Sequence, residues 1–542
     1  MTLHDDARAW LAIDPDPETR AEVEGLLEAG DDEGLAARFG DRLTFGTAGL
    51  RGAIGAGPNR MNRVVVQQTS AGLAAFLRGR TERPTAVVGY DGRRNSRVFA
   101  EDAAAVLGAA GVETVVLPRA LPTPVLAFAV RDLAADAGVM ITASHNPADD
   151  NGYKLYLGGA DAGSQLVSPA DSAVLAEIDA VVATGALPER SVDAERAPEA
   201  VVERYVAATA AVASARGDLD WVYTPLHGVG LETVQAVLAA AGLPAPQVVG
   251  EQAQPDPAFP TAPFPNPEEP GTLDLAFGLA RRTGARLILA NDPDADRLAV
   301  AIPDPSAADG WRRLTGIDVG LLLGWRTAKT TPAAGGTLAC SVVSTPGLAR
   351  IAERFGFLHA ETLTGFKWIS RAPALLFGFE EALGYLVDPE VVRDKDGISA
   401  LVALLSAAIE LDAEDRGIAD LLAEVEQAIG RFDSTQVSLR VDDLGEIDRL
   451  MARLRAEPPA AIGGLAVESA DDLLAGGDLP PTDALRYRLA GAARVVVRPS
   501  GTEPKLKVYI DVVSDAATPE ERRAQTDAAL AALRAGVDAL LR

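Results

Sequence analysis

The chain has one cysteine, Cys340, in 542 residues, so no intrachain disulfide can form. Such sparing use fits a reducing compartment, and within the apolar run TLACSVV the thiol reads as a core filler. Basic residues are also scarce: 50 Lys and Arg face 77 Asp and Glu, a formal net charge of −27. That balance argues against nucleic acid or an anionic membrane surface as a partner. Any phosphate site must therefore gather its basic residues in one cleft, against the field of the whole. The longest apolar stretch, LVALLSAAIEL from Leu401, ends in acids and is too short to span a bilayer. The opening MTLHDDARAW has acids where a secretion signal has lysines, and the expectation is a cytoplasmic protein.

What is present is enough apolar sequence, 48%, to bury several cores. The length suggests about three to four domains at roughly 100–200 residues each. Apolar, acid-rich segments at helical spacing fill residues 1 to 40. From Thr85 onward strands (TAVVGY, TVVLP, GVMI) alternate with helices (FAEDAAAVLGAAG, PVLAFAVRDL), which predicts βαβ units and a parallel sheet. The same style resumes with DWVYTPL, whose loop residue His227 reads as a hydrogen-bonder, and again after Trp311. The proline-rich PDPAFPTAPFPNPEEP is expected to run over the surface. From Asp433 the order strand, long helix, strand, strand, helix is α+β. The predicted domains are 1–200, 201–310, 311–432 and 433–542: three α/β domains with mixed, largely parallel sheets and a fourth α+β domain.

The stretch TASHNP, Thr142 to Pro147, follows the apolar AGVMI, so Ser144 falls at the carboxyl end of a buried strand, where open α/β sheets bind ligands. Its hydroxyl could cap a turn, pair with His145 as a nucleophile, or bear a phosphoryl group. On an extended chain adjacent side chains point to opposite faces, which places His145 badly as a base for Ser144. The third reading needs a cation and a cationic cradle. NDPDADR supplies the first: Asp292, Asp294 and Asp296 at i, i+2, i+4 follow a strand, and on an extended loop they share one side. Like charges so close repel unless something positive sits among them. The run lacks the glycine and terminal glutamate of an EF-hand, so Mg²⁺ shared with a phosphate oxygen is the expected ion. The loop RPSGTEP offers the cradle, with Arg498, Ser500, Gly501 and Thr502 supplying a guanidinium, two hydroxyls and a freed backbone. Arg51, in the glycine-rich LTFGTAGLRGAIG, could clamp a phosphate by its two-pronged guanidinium.

TASHNP, DPDADR and RPSGTEP, in that order over nearly the whole chain, resemble the α-D-phosphohexomutase superfamily of phosphoglucomutases and phosphomannomutases. YTPLHGVG and GFEEALGY are more similar to the branch with bacterial phosphoglucomutases and phosphopentomutase-like enzymes. The resemblance implies four domains around a central cleft, a phosphoserine at Ser144, one Mg²⁺ held by its phosphate with the three aspartates, and a sugar 1,6-bisphosphate as intermediate. It also implies a ring-binding loop at Thr364, Gly365 and Lys367, and a phosphate- or ring-binding Lys395. Where the family has a GExSG sugar-hydroxyl loop this chain has Glu380, Glu381 and no serine, so hexose specificity is open. Catalysis is expected from Ser144, Lys154 as base, Arg51 and His145, with Arg297 bracing the phosphoryl oxygens. The reaction expected is interconversion of hexose 1- and 6-phosphates on glucose and mannose by a monomer or homodimer. A phosphopentomutase and a non-catalytic phosphosugar binder are the alternatives, whereas a GxSxG hydrolase elbow is absent around Ser144.

Overall fold

The computed structural model describes residues 2–44, 49–191, 194–307, 309–441, 444–477, 479–499 and 505–541. The chain forms two compact units, residues 1–313 with 384–413, and residues 314–383 with 414–542.

The first unit holds two sheets. In one, strands Thr85–Tyr90, Glu113–Val116 and Ala137–Ile141 run parallel, as the alternation predicts. Asp150–Leu157 then returns antiparallel to Ala137–Ile141, and Leu50–Ala53 pairs antiparallel with it. AGVMI is buried at every position, which explains its unbroken apolar run. Helices Ser96–Ala109 and Thr123–Asp132 pack on these strands through Phe99, Ala103, Val125 and Leu126. The second sheet places Trp221–Thr224 parallel to Leu287–Ala290, and Ala299–Pro303 returns antiparallel to the latter. Each sheet thus has a parallel strand, a loop at its carboxyl end and an antiparallel return. The helix Gly397–Asp412 completes this unit, its first turn capped by Asp396, which accepts from the N–H groups of Ile398 and Ser399.

In the second unit, strands Leu358–Thr362, Thr337–Ser341 and Leu375–Glu380 are parallel. A separate antiparallel sheet runs in the order Arg431–Arg440, Lys505–Ser514, Arg494–Pro499, Leu485–Leu489, Leu465–Asp472 and Ala461–Ile462. Val495, Val497, Val508 and Ile510 form its core with Leu533 and Val537 of the helix Pro519–Leu540. Leu465–Asp472 escapes the sequence reading because AVESADD is mostly polar, an alternation that suits a sheet wet on one face.

The proline-rich stretch forms no strand and runs over the surface as expected, but it is anchored: its own Phe259 is buried with the Arg93 guanidinium 4.9 Å from its ring, and Thr261 bonds His227 Nε2 at 2.8 Å. Proline bars this segment from a sheet but not from packing by its aromatics. No helix among the described residues is long and apolar enough to cross a membrane.

Candidate active site

Ser144 lies just past Ile141, at the carboxyl end of a parallel strand, and is buried. Its Oγ donates to Asp292 Oδ2 at 2.7 Å and lies 3.1 Å from His145 Nδ1. The second contact corrects the expectation for His145. Ser144 has φ 55°, a left-handed conformation, so the alternation of an extended chain does not apply and the two side chains meet. Burial, and after it the charges of Arg297 and Arg51, push the His145 imidazole well below its ordinary range, leaving it neutral near pH 7.

The loop is held by a residue that sequence reasoning missed. Arg93 donates through Nη2 to the carbonyls of Ser144 at 2.7 Å and Asn146 at 2.6 Å, and through Nη1 to those of Pro147 at 2.8 Å and Asp150 at 3.2 Å. Asp91 accepts from Thr142 Oγ1 at 2.6 Å, and Thr142 Oγ1 in turn accepts from Ser144 N–H at 2.8 Å. The only signal was the acid, glycine and arginine of YDGR after a strand.

The three aspartates converge, their ligand oxygens lying within 4.8 Å of one another. They do so on a turn rather than an extended loop: Ala295 has φ 55° and its N–H donates to the Asp292 carbonyl at 2.8 Å. The turn seats against Gly228, where an added Cβ would meet the Pro293 carbonyl oxygen at 2.3 Å, so only glycine fits. Lys154, on the antiparallel return strand opposite Met140, donates from Nζ to Asp294 Oδ2 and Asp296 Oδ2, each at 2.7 Å. Lys395 Nζ is 3.3 Å from Asp296 Oδ2, and Arg297 Nε is 4.0 and 3.9 Å from Asp292 Oδ2 and Asp296 Oδ1. Thr123 Oγ1 donates to Asp294 Oδ2 at 2.6 Å, a second contact the sequence did not reveal.

Burial alone would raise all three carboxyls. For Asp296 the charges of Lys154, Lys395 and Arg297 outweigh it and hold the group below the carboxylate range; Asp292, further burdened by Asp294 and Asp296, lies well above it. Among the described residues, Asp294 Oδ1 and Asp296 Oδ1 are buried without a hydrogen-bond partner, as is Arg51 Nε. Orphaned carboxylate oxygens in an all-oxygen set fit a hard divalent cation such as Mg²⁺. The unpaired guanidinium nitrogen beside them suits an oxyanion.

In the second unit, Arg498 Nη1 donates to Thr364 Oγ1 at 2.6 Å, joining two of the predicted substrate-binding residues. Gly365 has φ 105° at the start of the helical turn Phe366–Ile369, which contains Lys367. Glu380 ends a strand and is buried, and Glu381 follows it half-buried. Ser500, Gly501 and Thr502 lie outside the described residues.

Sequence profiles of the four domains described as phosphoglucomutase/phosphomannomutase alpha/beta/alpha domains I, II and III and the C-terminal domain match residues 42–182, 203–305, 316–428 and 439–529. The chain belongs to the phosphoglucomutase/phosphomannomutase family. A protein of Haemophilus influenzae named as a probable phosphomannomutase is 51% identical over 454 residues, covering 83% of this chain and 93% of that one. The human phosphopentomutase is 34% identical over 569 residues, covering 94% and 91%. A solved phosphoglucomutase/phosphomannomutase family structure from Burkholderia thailandensis shares the fold at TM-score 0.68 and 21% identity, over 90% of this chain and 97% of that one. Family membership makes the chain a phosphosugar mutase, an isomerase that moves a phosphoryl group within one sugar.

Proposed function

We propose that this family member interconverts hexose 1- and 6-phosphates, acting on glucose and mannose phosphates, with Ser144 as the phosphoryl carrier. The observation that carries the assignment is the Ser144 hydroxyl donating at 2.7 Å into the aspartate cluster, with Lys154 bridging the other two carboxylates.

Asp292, Asp294 and Asp296 would hold Mg²⁺, which when bound offsets the charge spread over the transferring group. The residues' own work follows from their placement. The P–Oγ bond at Ser144 breaks as a bond from phosphorus to the sugar oxygen forms, and the sugar hydroxyl's proton needs an acceptor. Lys154, held in the aspartate cluster by Asp294 and Asp296, is assigned as the acceptor of that proton, assisted by Arg51, while Arg297 braces the phosphoryl oxygens. His145 Nδ1, beside Ser144 Oγ, is on the side of the leaving oxygen, where it orients Oγ as that oxygen takes up a proton in exchange for phosphorus. Arg498, with Ser500, Gly501 and Thr502 after it in sequence, is assigned the phosphate already on the sugar. Return of the second phosphate to Ser144 through a sugar 1,6-bisphosphate completes the cycle.

The test is a coupled assay on glucose 1-phosphate and mannose 1-phosphate with Mg²⁺ and the matching bisphosphate. The unsubstituted chain is expected to turn both over and to bear one phosphoryl group by intact mass. Ser144→Ala should lose both properties, and retention of full activity by that variant would refute the scheme. A phosphopentomutase is the second reading, favoured by the absence of the family's loop serine, whose place falls to Ala382 or Leu383, and by the human relative. A strong preference for ribose 1-phosphate in the same assay would select it.

A further inference from the structure

The aspartate turn is held from a second point on the sheet that carries Ser144. Strand Glu113–Val116 lies parallel to Thr85–Tyr90, which lies parallel to Ala137–Ile141, so the chain leaving Val116 emerges at the same carboxyl edge as the serine loop. There the Leu117 N–H donates to the Val88 carbonyl at 2.8 Å and the Leu121 N–H to that of Tyr90 at 3.0 Å, which ties the loop to the sheet edge. Pro122 and Pro124 flank Thr123 and fix the φ angles on either side of it. Thr123 opens the helix Thr123–Asp132, where a backbone N–H has no partner within the helix, and it gives that N–H to the Asp294 carbonyl at 2.9 Å. Its hydroxyl donates to Oδ2 of the same residue at 2.6 Å. Thr123 and Asp294 are both fully buried. One threonine thus grips Asp294 by main chain and side chain together, while Ser144, from the neighbouring loop, reaches Asp292.

The donors around the cluster are spread unevenly over its oxygens. Oδ2 of Asp294 takes Thr123 and Lys154, and Oδ2 of Asp296 takes Lys154, with Lys395 at 3.3 Å. Oδ1 of each is buried without a partner among the described residues. Lys154 alone would hold Asp294 loosely, because its Nζ rides on a four-carbon stem, divides itself between two carboxylates and is assigned the sugar's proton. Threonine is stiff at χ1, and here its backbone is pinned as well. We infer that Thr123 is a positioning residue for the metal: by occupying Asp294 Oδ2 it leaves Oδ1 as the oxygen offered to a divalent cation. The inference rests on the reading of the three aspartates as the Mg²⁺ site. It gives the loop before Thr123–Asp132 a part in metal affinity that is separate from the phosphoryl-bearing serine.

The experiment is a Mn²⁺ titration of the full chain, with free ion read by electron paramagnetic resonance and Mn²⁺ standing in for Mg²⁺ at an all-oxygen site. It compares the unsubstituted chain with its Thr123→Val, Thr123→Ala, Thr123→Ser and Asp296→Asn variants, each checked for folding by circular dichroism. Asp296→Asn removes a ligand and should abolish the tight site, leaving only weak association with the acidic surface. Thr123→Val keeps the shape and the backbone N–H but loses the hydroxyl, and should raise the Mn²⁺ dissociation constant about tenfold or more, the usual effect of removing a group that orients a ligand. Thr123→Ala should do the same. Thr123→Ser restores the donor and should stay within about threefold of the parent. Parental affinity in Thr123→Val, or a Thr123→Ser variant as weak as Thr123→Val, overturns the inference. If Thr123→Val and Thr123→Ala fail to fold while Thr123→Ser folds, the contact serves the fold and the inference falls. A tight site that is missing from the unsubstituted chain, or that survives Asp296→Asn, instead refutes the metal reading and the inference with it.

Discussion

Arg93 spends its charge on main-chain oxygens, spanning four carbonyls of the serine loop while lying 3.5 Å from Asp91. Removing it leaves a buried carboxylate and unpaired carbonyls, so Arg93→Met should lower stability by about 3–5 kcal/mol in denaturant titration. Arg93→Lys should fail to restore turnover, since a point charge cannot span a fork of acceptors. Cys340 illustrates the opposite case, a reactive group that the fold silences. It is buried beneath the sheet surface, and burial, then the nearby Glu361, pushes its thiol up to about 12. A thiol reagent at pH 8 should leave the native chain unmodified and label it once in guanidinium. At this scale the sequence was legible where function needs clustered side chains of one chemistry, as in the three aspartates. It was mute where a side chain binds backbone, because the partners of Arg93 are carbonyls that every residue possesses.

The two loops that meet at Ser144 and Asp292 are built alike, each leaving the carboxyl end of a parallel strand and returning antiparallel. Pinning at both ends lets each adopt a left-handed residue, Ser144 in one and Ala295 in the other, with little freedom to relax. The strands and the location of the loops were legible from apolar runs ending in polar clusters. The turn conformations were not, so an extended-chain argument misplaced His145 even as it correctly grouped the aspartates. Helix ends give an element-scale test. Asp396, the N-cap of Gly397–Asp412, accepts from Tyr205 and two backbone N–H groups, yet burial dominates and raises its carboxyl from 3.8 to about 6. The folded chain therefore holds this proton more tightly than the unfolded chain. The associated stability is full below about pH 4 and is lost as pH rises to about 6. Asp396→Asn keeps the cap without the charge, and should gain about 1–3 kcal/mol relative to the parent between pH 4 and pH 7. Paired melts at the two pH values measure it.

Over the whole molecule, the formal charge of −27 opposes an anionic substrate even though Lys154, Lys395, Arg297 and Arg51 make the aspartate cluster locally cationic. Long-range repulsion between exposed charges is screened within about 8 Å at physiological salt, whereas buried pairs are screened much less. Turnover per encounter, kcat/KM for a hexose phosphate at fixed free Mg²⁺, should therefore rise several-fold between about 10 and 150 mM salt. A fall would mean that the local cations dominate the approach. The α/β class and the α+β style of the last region were legible from the alternation of periods. The partition into two units was not, because it depends on which distant segments pack together rather than on any local signal.

That partition has a consequence for biosynthesis. The chain departs from its first unit at residue 313 and comes back only for residues 384–413, bringing Lys395 and the helix Gly397–Asp412. An emerging polypeptide stopped at the first exit would carry every aspartate of the cluster but lack one of its cations and a packing helix. The amino-terminal half therefore cannot mature ahead of the segment that follows it, and the ribosome must deliver about three quarters of the protein before the surroundings of Ser144 and the aspartates are complete.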